Sequence, residues 1–237
     1  MSIGAIDKVA VIAAVRSAAN RTGVDFGYLV AQARIESGLN PDAAAPTSSA
    51  RGLYQFTEGT WLDTVRRHGA EHGMAAEAAA LSRGTTADER TAILERRRDP
   101  EASAAMAAAF AQDNGAMLER RLGRSVGATD LYLAHFLGPA GAVRFLAARD
   151  AAPGTAASTA VTPAAAAANT GIFTTREGRA RSLDEVYARF EAKLSLPQSF
   201  DAWNMRGKPL PPAGTALPVT AQAAATRAYM LLAELGA

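Results

Sequence analysis

The sequence predicts a mostly α-helical protein. Alanine dominates the composition, and alanine has the highest intrinsic helix propensity. Several segments repeat apolar residues at the spacing of one helix face, and start signals such as Asp99-Pro100 mark where helices begin. No window shows the sustained apolar/polar alternation of a half-buried strand. At 237 residues, the chain is long enough for one complete core and an appendage.

The predicted helices follow one another with short breaks. We expect them at residues 6–20, 25–38, 57–69, 74–81, 87–97, 99–123, 129–137, 140–149, 183–194 and 221–235. Asp25 or Thr22 can cap the second helix, and Thr57 and Thr129 can cap later ones. The sequence Ser182-Leu183-Asp184-Glu185 has the pattern of a capping box.

Composition also divides the chain. Residues 151–170 are mostly Ala, Thr, Ser, Pro and Gly without a periodic apolar face, which predicts a linker or a poorly ordered segment. The expected organisation is therefore a helical domain at 1–150, the linker, and a small helical tail at 171–237. The role of this tail is unknown, and it is a candidate contact for a protein partner.

Charge and composition exclude several classes of function. The net charge of +2 is too small to indicate a nucleic-acid partner. The absence of cysteine excludes disulfides and thiol chemistry. The N-terminal segment has Asp7 before a short apolar run, so it predicts an amphipathic helix rather than a signal peptide. No stretch is long enough for a membrane span, and no cofactor is expected.

The segment from Val24 to Phe56 carries the candidate chemistry. Its helix has an apolar stripe, and Glu36 is the next position at the edge of that stripe. The stripe consists of Phe26, Leu29, Val30 and Ala33. Partial burial disfavours the charged form of a carboxyl group, as a general acid working near neutral pH requires. Alone, however, a glutamate near a helix end is usually a solvated side chain.

A second motif follows this glutamate in a fixed order. Glu36-Ser37 precedes a loop rich in alanine and serine, and then the sequence GLYQF at residues 52–56. This combination resembles the catalytic core of the soluble lytic transglycosylase (SLT) family, whose pattern is Glu-Ser, a short loop and Gly-Leu-Met-Gln. The resemblance covers about residues 24–149. It implies a lysozyme-like helical domain.

The resemblance also implies a reaction. Glu36 would be the single catalytic carboxyl group, acting first as acid and then as base. The substrate would be the β-1,4 bond between N-acetylmuramic acid and N-acetylglucosamine in peptidoglycan strands. The product would carry a 1,6-anhydromuramoyl end. The site of action would be the bacterial periplasm or cell envelope, although the chain shows no recognisable export signal.

A third stretch resembles the family with a departure. The family sequence Ala-Tyr-Asn-Ala-Gly-Pro-Gly-Ala-Val corresponds to residues 134–143, which keep Gly-Pro and have one extra residue before Gly141. His135-Phe136 replaces Tyr-Asn. In the family, the tyrosine hydrogen-bonds near the catalytic glutamate. Either His135 or Tyr132 could take that role here. Asp99-Pro100 corresponds to the start of the family's helix that packs behind the catalytic one.

The remaining substrate-binding candidates each have a structural alternative. Ser37 would steady the glutamate or the sugar, or it is simply a serine at a helix end. Gln55 would bind an N-acetyl or hydroxyl group, or it is a loop residue. Tyr54 and Phe56 would form sugar-stacking walls, or they pack in the core. Trp61 is expected in the core. The other acids near the motif, Asp42, Glu58 and Asp63, are expected to be a loop residue and two first-turn helix residues.

Two further motifs suggest other functions. The sequence from His68 to His72 matches the H-x-x-E-H pattern of some zinc peptidases, but Gly69 and Gly73 interrupt the helix that such a site needs. We therefore predict no metal site. The run Arg96-Arg97-Arg98 is expected to be a solvated helix end rather than a site for phosphate or wall polymer.

Three rival functions stay open at this point. The first is a hydrolytic muramidase that cleaves the same bond. The second is a non-catalytic protein that binds peptidoglycan or acts as a scaffold on the same fold, which the His135-Phe136 replacement makes conceivable. The third is the zinc peptidase.

Overall fold

The chain is mostly helical, as predicted. The computed structural model describes residues 3–195, and no strand is present in that part of the chain. The α-helices are α1 (Ile3–Thr22), α2 (Phe26–Ser37), α3 (Glu58–His68), α4 (Ala75–Arg83), α5 (Ala87–Glu95), α6 (Pro100–Leu122), α7 (Ala128–Leu137), α8 (Pro139–Ala151), α9 (Pro163–Ala168), α10 (Thr170–Phe173) and α11 (Leu183–Leu194). Short 3₁₀ turns occur at Gly69–His72, Arg96–Arg98 and Ala157–Ala160.

Helix α6 is the central element of the fold. It packs most extensively against α1 and also contacts α2, α3, α7 and α8. Its buried surface is built largely from alanine, and Ala104, Ala105 and Ala107–Ala109 lie there on either side of Met106. Small side chains let neighbouring helix axes approach closely, so several helices can surround α6. Gly115 lies inside the helix, close to the side chain of Leu131 from α7.

Most of the predicted helix ends are confirmed. The Asp25 carboxylate accepts a hydrogen bond from the backbone of Tyr28 at 2.7 Å and caps α2. Gly38 ends that helix in the left-handed conformation. Thr57 caps α3, but Thr129 does not cap α7. Helix α7 begins one residue earlier, and the backbone N–H of Gly127 donates to Asp130 in its first turn.

Residues 151–170 differ from the expectation of a linker. They contain a 3₁₀ turn, α9 and the start of α10, and Ala157 and Ala165 are buried. Backbone pairing fixes the segment, because the N–H of Ala157 donates to the carbonyl of Arg181 at 2.8 Å. The N–H of Leu183 donates to Thr155 at 2.9 Å. The chain therefore folds back and brings α11 onto the rest of the molecule.

Helix α11 forms part of the main core. Ser182 and Glu185 form the predicted capping box at its start. Its buried residues Leu183, Val186, Phe190 and Leu194 belong to the same apolar cluster as the interiors of α2, α6 and α7. Polar contacts reinforce this packing. The Tyr187 hydroxyl donates to buried Asp130 at 3.2 Å, and the Arg149 guanidinium donates to Asp184 at 2.7 Å.

Two expectations from the sequence remain, a helix near the C-terminal end and the division of the chain into a domain and a tail. The helix predicted at residues 221–235 lies outside the described residues. The division of the chain into a domain at 1–150 and a tail stays a prediction. Between residues 3 and 195, none of the helices combines the length and the hydrophobicity that crossing a bilayer requires.

Candidate active site

Glu36 lies in the last turn of α2, where the helix enters the core. The residue is 5% exposed and its side chain only 2%. The stripe predicted to flank it is largely buried, and Leu29, Val30 and Ala33 are fully enclosed. The carboxyl group is therefore held away from bulk water, as the sequence predicted.

Two side chains of α7 reach one oxygen of this carboxyl group. The Tyr132 hydroxyl donates to Oε1 of Glu36 at 3.3 Å. Nε2 of His135 lies 3.3 Å from the same oxygen. Sequence reasoning offered these residues as alternatives, and the structure brings both of them to Glu36. The other oxygen, Oε2, is buried and has no hydrogen-bond partner among the described residues.

Two phenol groups with raised pKa values surround the carboxyl group. Burial raises the pKa of Tyr132 well above its ordinary value, and the charge of Glu36 and their hydrogen bond add to this shift. Burial raises the pKa of Tyr28 in the same direction, again with a contribution from Glu36. Both phenols therefore keep their protons at neutral pH, so Tyr132 remains a donor.

A cation from α11 completes this group. Nζ of Lys193 donates to the Tyr132 hydroxyl at 3.4 Å and lies 5.6 Å from the ring centroid. Burial lowers the pKa of the Lys193 ammonium, Glu36 acts in the opposite direction, and Arg34 adds to the lowering. Lys193 is not among the site residues predicted from the sequence, because α11 lies within the predicted tail at 171–237.

The GLYQF turn is joined directly to the end of α2. The Ser37 hydroxyl donates to the carbonyls of Leu53 at 2.8 Å and Ala33 at 3.0 Å. The side-chain amide of Gln55 donates to the carbonyls of Gly52 at 2.8 Å and Ala43 at 3.1 Å. Both side chains thus support the backbone of the loop, and their predicted contacts with substrate stay predictions.

The aromatic residues of the turn lie inside the protein. Tyr54 is 1% exposed and its hydroxyl donates to the carbonyl of Leu29, whereas Phe56 is 4% exposed and stacks edge-on against Trp61. Trp61 is fully buried, as expected, and its indole N–H donates to the carbonyl of Ile93. The core alternative therefore fits Tyr54 and Phe56, since neither ring presents a free face to a sugar.

The arginine run is not a uniform solvated helix end. Arg97 is buried, and its Nη1 donates to the carbonyls of Ser49 at 2.6 Å and Phe56 at 3.2 Å. It thereby ties Ser49, which precedes the GLYQF turn, to Phe56, the last residue of that turn. Arg96 and Arg98 instead make ion pairs with Asp99 and Asp42. The expectation of solvated side chains was wrong for Arg97, because a buried guanidinium can be satisfied by backbone carbonyls.

The H-x-x-E-H segment changes conformation within the motif. His68 is the last residue of α3, whereas His72 lies in the following 3₁₀ turn. Nε2 of His68 lies 2.8 Å from Asp113. Within residues 3–195, no group of three or more His, Asp or Glu side chains is arranged to hold a metal ion.

The other acids considered near the site take part in ion pairs on the surface. Asp42 pairs with Arg98 at 2.6 Å, and its side chain is 63% exposed. Glu58 pairs with Arg90 at 3.4 Å. Asp63 pairs with two arginines of its own helix, which lower the pKa of its carboxyl group against the opposing effect of desolvation. Glu36 is thus the one of these four carboxyl groups that is enclosed by the fold.

A comparison with protein families is consistent with this geometry. The family model described as the transglycosylase SLT domain matches residues 13–128. The chain carries a transglycosylase SLT domain. The matched segment contains both Glu36 and the GLYQF turn, and the helical structure fits the lysozyme-like fold of such domains. An SLT domain indicates transglycosylase action on peptidoglycan in the cell envelope.

The SLT match ends before part of the site that surrounds Glu36. Tyr132 and His135 of α7 and Lys193 of α11 follow residue 128 in the chain. The SLT segment therefore supplies the acid and its supporting loop, while two later helices supply the groups around the acid.

Proposed function

We propose that this SLT protein is a lytic transglycosylase that cleaves peptidoglycan with Glu36 as its only catalytic carboxyl group. The observation that carries the proposal is the environment of that side chain. One oxygen accepts a hydrogen bond from Tyr132 and lies 3.3 Å from Nε2 of His135, while the other is enclosed and lacks a hydrogen-bond partner among the described residues. Because Oε2 has no partner within the described part of the protein, we assign to it the proton that Glu36 exchanges with a bound glycan.

The reaction needs two proton transfers, and Glu36 takes part in both. Glu36 donates its proton to the glycosidic oxygen, and the bond from C1 of N-acetylmuramic acid to that oxygen breaks. N-Acetylglucosamine leaves with its new hydroxyl group. The Glu36 carboxylate then takes the proton of the C6 hydroxyl, whose oxygen bonds to C1. The product has a 1,6-anhydromuramoyl end, and Glu36 is again protonated.

This route explains how a single carboxyl group suffices. Most glycosidases use two carboxyl groups, the second acting as nucleophile or as base for a water molecule. Here the C6 hydroxyl of the substrate is the nucleophile, and the N-acetyl group can stabilise positive charge at C1. The other acids considered, Asp42, Glu58 and Asp63, are each paired with arginine.

Tyr132 and His135 are the residues that we propose to act directly beside the reacting carboxyl group. Tyr132 donates to Oε1 and so holds the orientation of Glu36, and His135 lies beside the same oxygen. Ser37 and Gln55 act on the loop, because their hydrogen bonds go to backbone carbonyls. We do not extend the proposal to sugar stacking by Tyr54 and Phe56, whose rings are enclosed.

The decisive variant is Glu36→Gln. Glutamine has nearly the same shape but cannot deliver a proton, and general acid–base catalysis contributes roughly 10²- to 10⁴-fold in rate. We expect release of soluble fragments from purified sacculi to fall by that order while the melting temperature stays close to wild type. Glu119→Gln is the matched control, because Glu119 is an exposed glutamate on α6. Wild-type rates in the Glu36 variant would remove this residue from the mechanism.

Product masses separate the rival functions. A lytic transglycosylase releases muropeptides with anhydro ends, which are one water lighter than the reducing ends that a muramidase releases. A protein that only binds or organises peptidoglycan co-sediments with sacculi without releasing fragments. A zinc peptidase loses activity when a chelator is added. We expect anhydro products that are insensitive to the chelator.

A further inference from the structure

Helix α11 brings a cation to Tyr132, the donor to Glu36, although the SLT match ends at residue 128, before both Tyr132 and α11. The contact is not incidental, because α11 packs on both helices that form the site, α2 and α7. The Phe190 ring lies 5.6 Å from the Tyr132 ring and 5.0 Å from the Phe136 ring, measured between centroids. The ammonium group of Lys193 follows one turn later on the same helix.

The end of α11 is fixed by contacts that do not use this ammonium group. Nη2 of Arg34 donates to the backbone carbonyls of Lys193 at 2.8 Å and Ser195 at 3.1 Å. Arg34 lies on α2, two residues before Glu36. The backbone of α11 is therefore tied to the catalytic helix, and the side chain of Lys193 can be replaced without removing that anchor.

The side chains form a continuous chain of donors toward the acid. Lys193 donates to the Tyr132 oxygen at 3.4 Å, and the Tyr132 hydroxyl donates to Oε1 of Glu36 at 3.3 Å. A cation that donates to a hydroxyl polarises it and strengthens the bond that the hydroxyl donates onward. An ammonium group in a desolvated site also stabilises a nearby carboxylate.

We propose that Lys193 is a positioning residue of the active site, acting on Glu36 through Tyr132. It aligns the Tyr132 hydroxyl on Oε1, so that the proton exchanged with substrate resides on Oε2. By strengthening the bond from Tyr132, it also stabilises the carboxylate that Glu36 becomes after it protonates the glycosidic oxygen. This inference rests on the proposed function, because it assigns a role in the same reaction. It makes α11 a part of the catalytic unit.

The titratable groups around Lys193, Tyr132 and Glu36 come from three helices. Tyr28 and Arg34 belong to α2 with Glu36, Tyr132 and His135 belong to α7, and Lys193 belongs to α11. Burial lowers the pKa of Lys193 and keeps the phenols protonated. A substitution of Lys193 thus removes the charge from this series of hydrogen-bond donors and leaves the Tyr132 hydroxyl in place.

The test is Lys193→Met in the full chain, with Lys8→Met as matched control. Methionine keeps most of the length and the apolar stem without the charge, whereas Lys8 is exposed on α1. We expect about a tenfold fall in kcat with KM changed less than twofold, because the lost contact is to Tyr132, which positions the acid, rather than to substrate. The control should match wild type.

Two readouts separate positioning from packing. Without the cation, the acid form of the site persists to higher pH, so the alkaline limb of the kcat profile moves upward. A packing defect would lower kcat equally at every pH. In a double-mutant cycle, adding Lys193→Met to Tyr132→Phe should cost little more, because Lys193 acts through the Tyr132 hydroxyl. Additive losses or an unmoved profile would overturn the proposal.

The outcome also distinguishes this inference from the proposed function. If wild-type protein releases no anhydro fragments, the proposed function fails. If it releases them and Lys193→Met does so at the wild-type rate, the role of Lys193 fails while the function of Glu36 stands. A large fall in melting temperature for Lys193→Met would also count against the proposal, because it would show a structural role.

Discussion

Replacement of Gly52 by alanine tests whether the GLYQF turn is locked by the backbone of Arg97. Gly52 has φ +83°, which is strained for any residue with a Cβ atom. A Cβ atom here would also lie 1.9 Å from the carbonyl oxygen of Arg97 and 2.8 Å from its carbonyl carbon. Because both neighbours are backbone atoms, no side-chain rotation can relieve the clash.

The magnitude can be worked out from the two effects. The left-handed conformation costs an alanine about 1–2 kcal/mol. Relieving the clash requires a backbone shift of about 1 Å. This shift disturbs the hydrogen bonds from Arg97 to the Ser49 and Phe56 carbonyls. Hydrogen bonds to charged groups contribute about 1.5–3 kcal/mol each. We therefore expect a total loss of about 3–5 kcal/mol for Gly52→Ala.

Gly73→Ala provides the matched control. Gly73 has a similar φ of +79°, but nothing lies within 4 Å of the position that a Cβ atom would take. This variant carries the conformational cost without the clash. For a protein of this size, each kcal/mol shifts the melting temperature by about 2–4 °C. Thermal denaturation should show a fall of roughly 10 °C for Gly52→Ala and only a few degrees for Gly73→Ala. Equal falls would refute the argument that Arg97 locks the turn.

Two further variants test the contact to Glu36 and the start of α11. Tyr132→Phe removes the donor to Glu36, and we expect kcat on sacculi to fall about tenfold with the fold retained, since an unmet buried acceptor costs about 1–3 kcal/mol. An unchanged kcat would argue against the contact. Hydrogen bonds from Arg179 and Ser182 lower the pKa of Glu185 from 4.5 to about 2, so this carboxylate stabilises the folded state above pH 4.5 and loses that effect as the pH falls toward 2. The melting temperatures of wild type and Glu185→Gln should therefore converge between those pH values, whereas a constant gap would contradict the prediction.

Local sequence signals predicted the helices and the burial of Glu36. Cap residues such as Asp25, Thr57 and Ser182 act through side chains that lie within three residues of their partners, so the chain itself shows them. Glu36 could be selected because its burial follows from the apolar stripe of its own helix. The family resemblance left His135 and Tyr132 as alternatives for the residue near Glu36, and both lie beside its Oε1.

The features that sequence reasoning missed depend on contacts between distant segments. Residues 151–170 lack large periodic apolar side chains, but they are ordered by backbone hydrogen bonds to residues 181–184, including the pair Ala157 and Arg181. Backbone pairing of this kind leaves no mark in side-chain composition. Arg97 and Lys193 were missed for a related reason. Each is a charged side chain whose burial depends on partners far away in the chain, the Ser49 carbonyl and the Tyr132 hydroxyl.

The two oxygens of Glu36 are not equivalent, and this difference follows from the tertiary fold. Oε1 receives the Tyr132 hydroxyl and lies beside His135, and both residues lie on a helix about 100 residues away in the chain. Oε2 is buried without a partner among the described residues, an arrangement that costs free energy in a resting protein. Sites that pre-organise donors and acceptors for a reacting group accept such a cost, because the substrate supplies the missing partner. In the proposed reaction that partner is the glycosidic oxygen, and then the C6 hydroxyl of the same sugar.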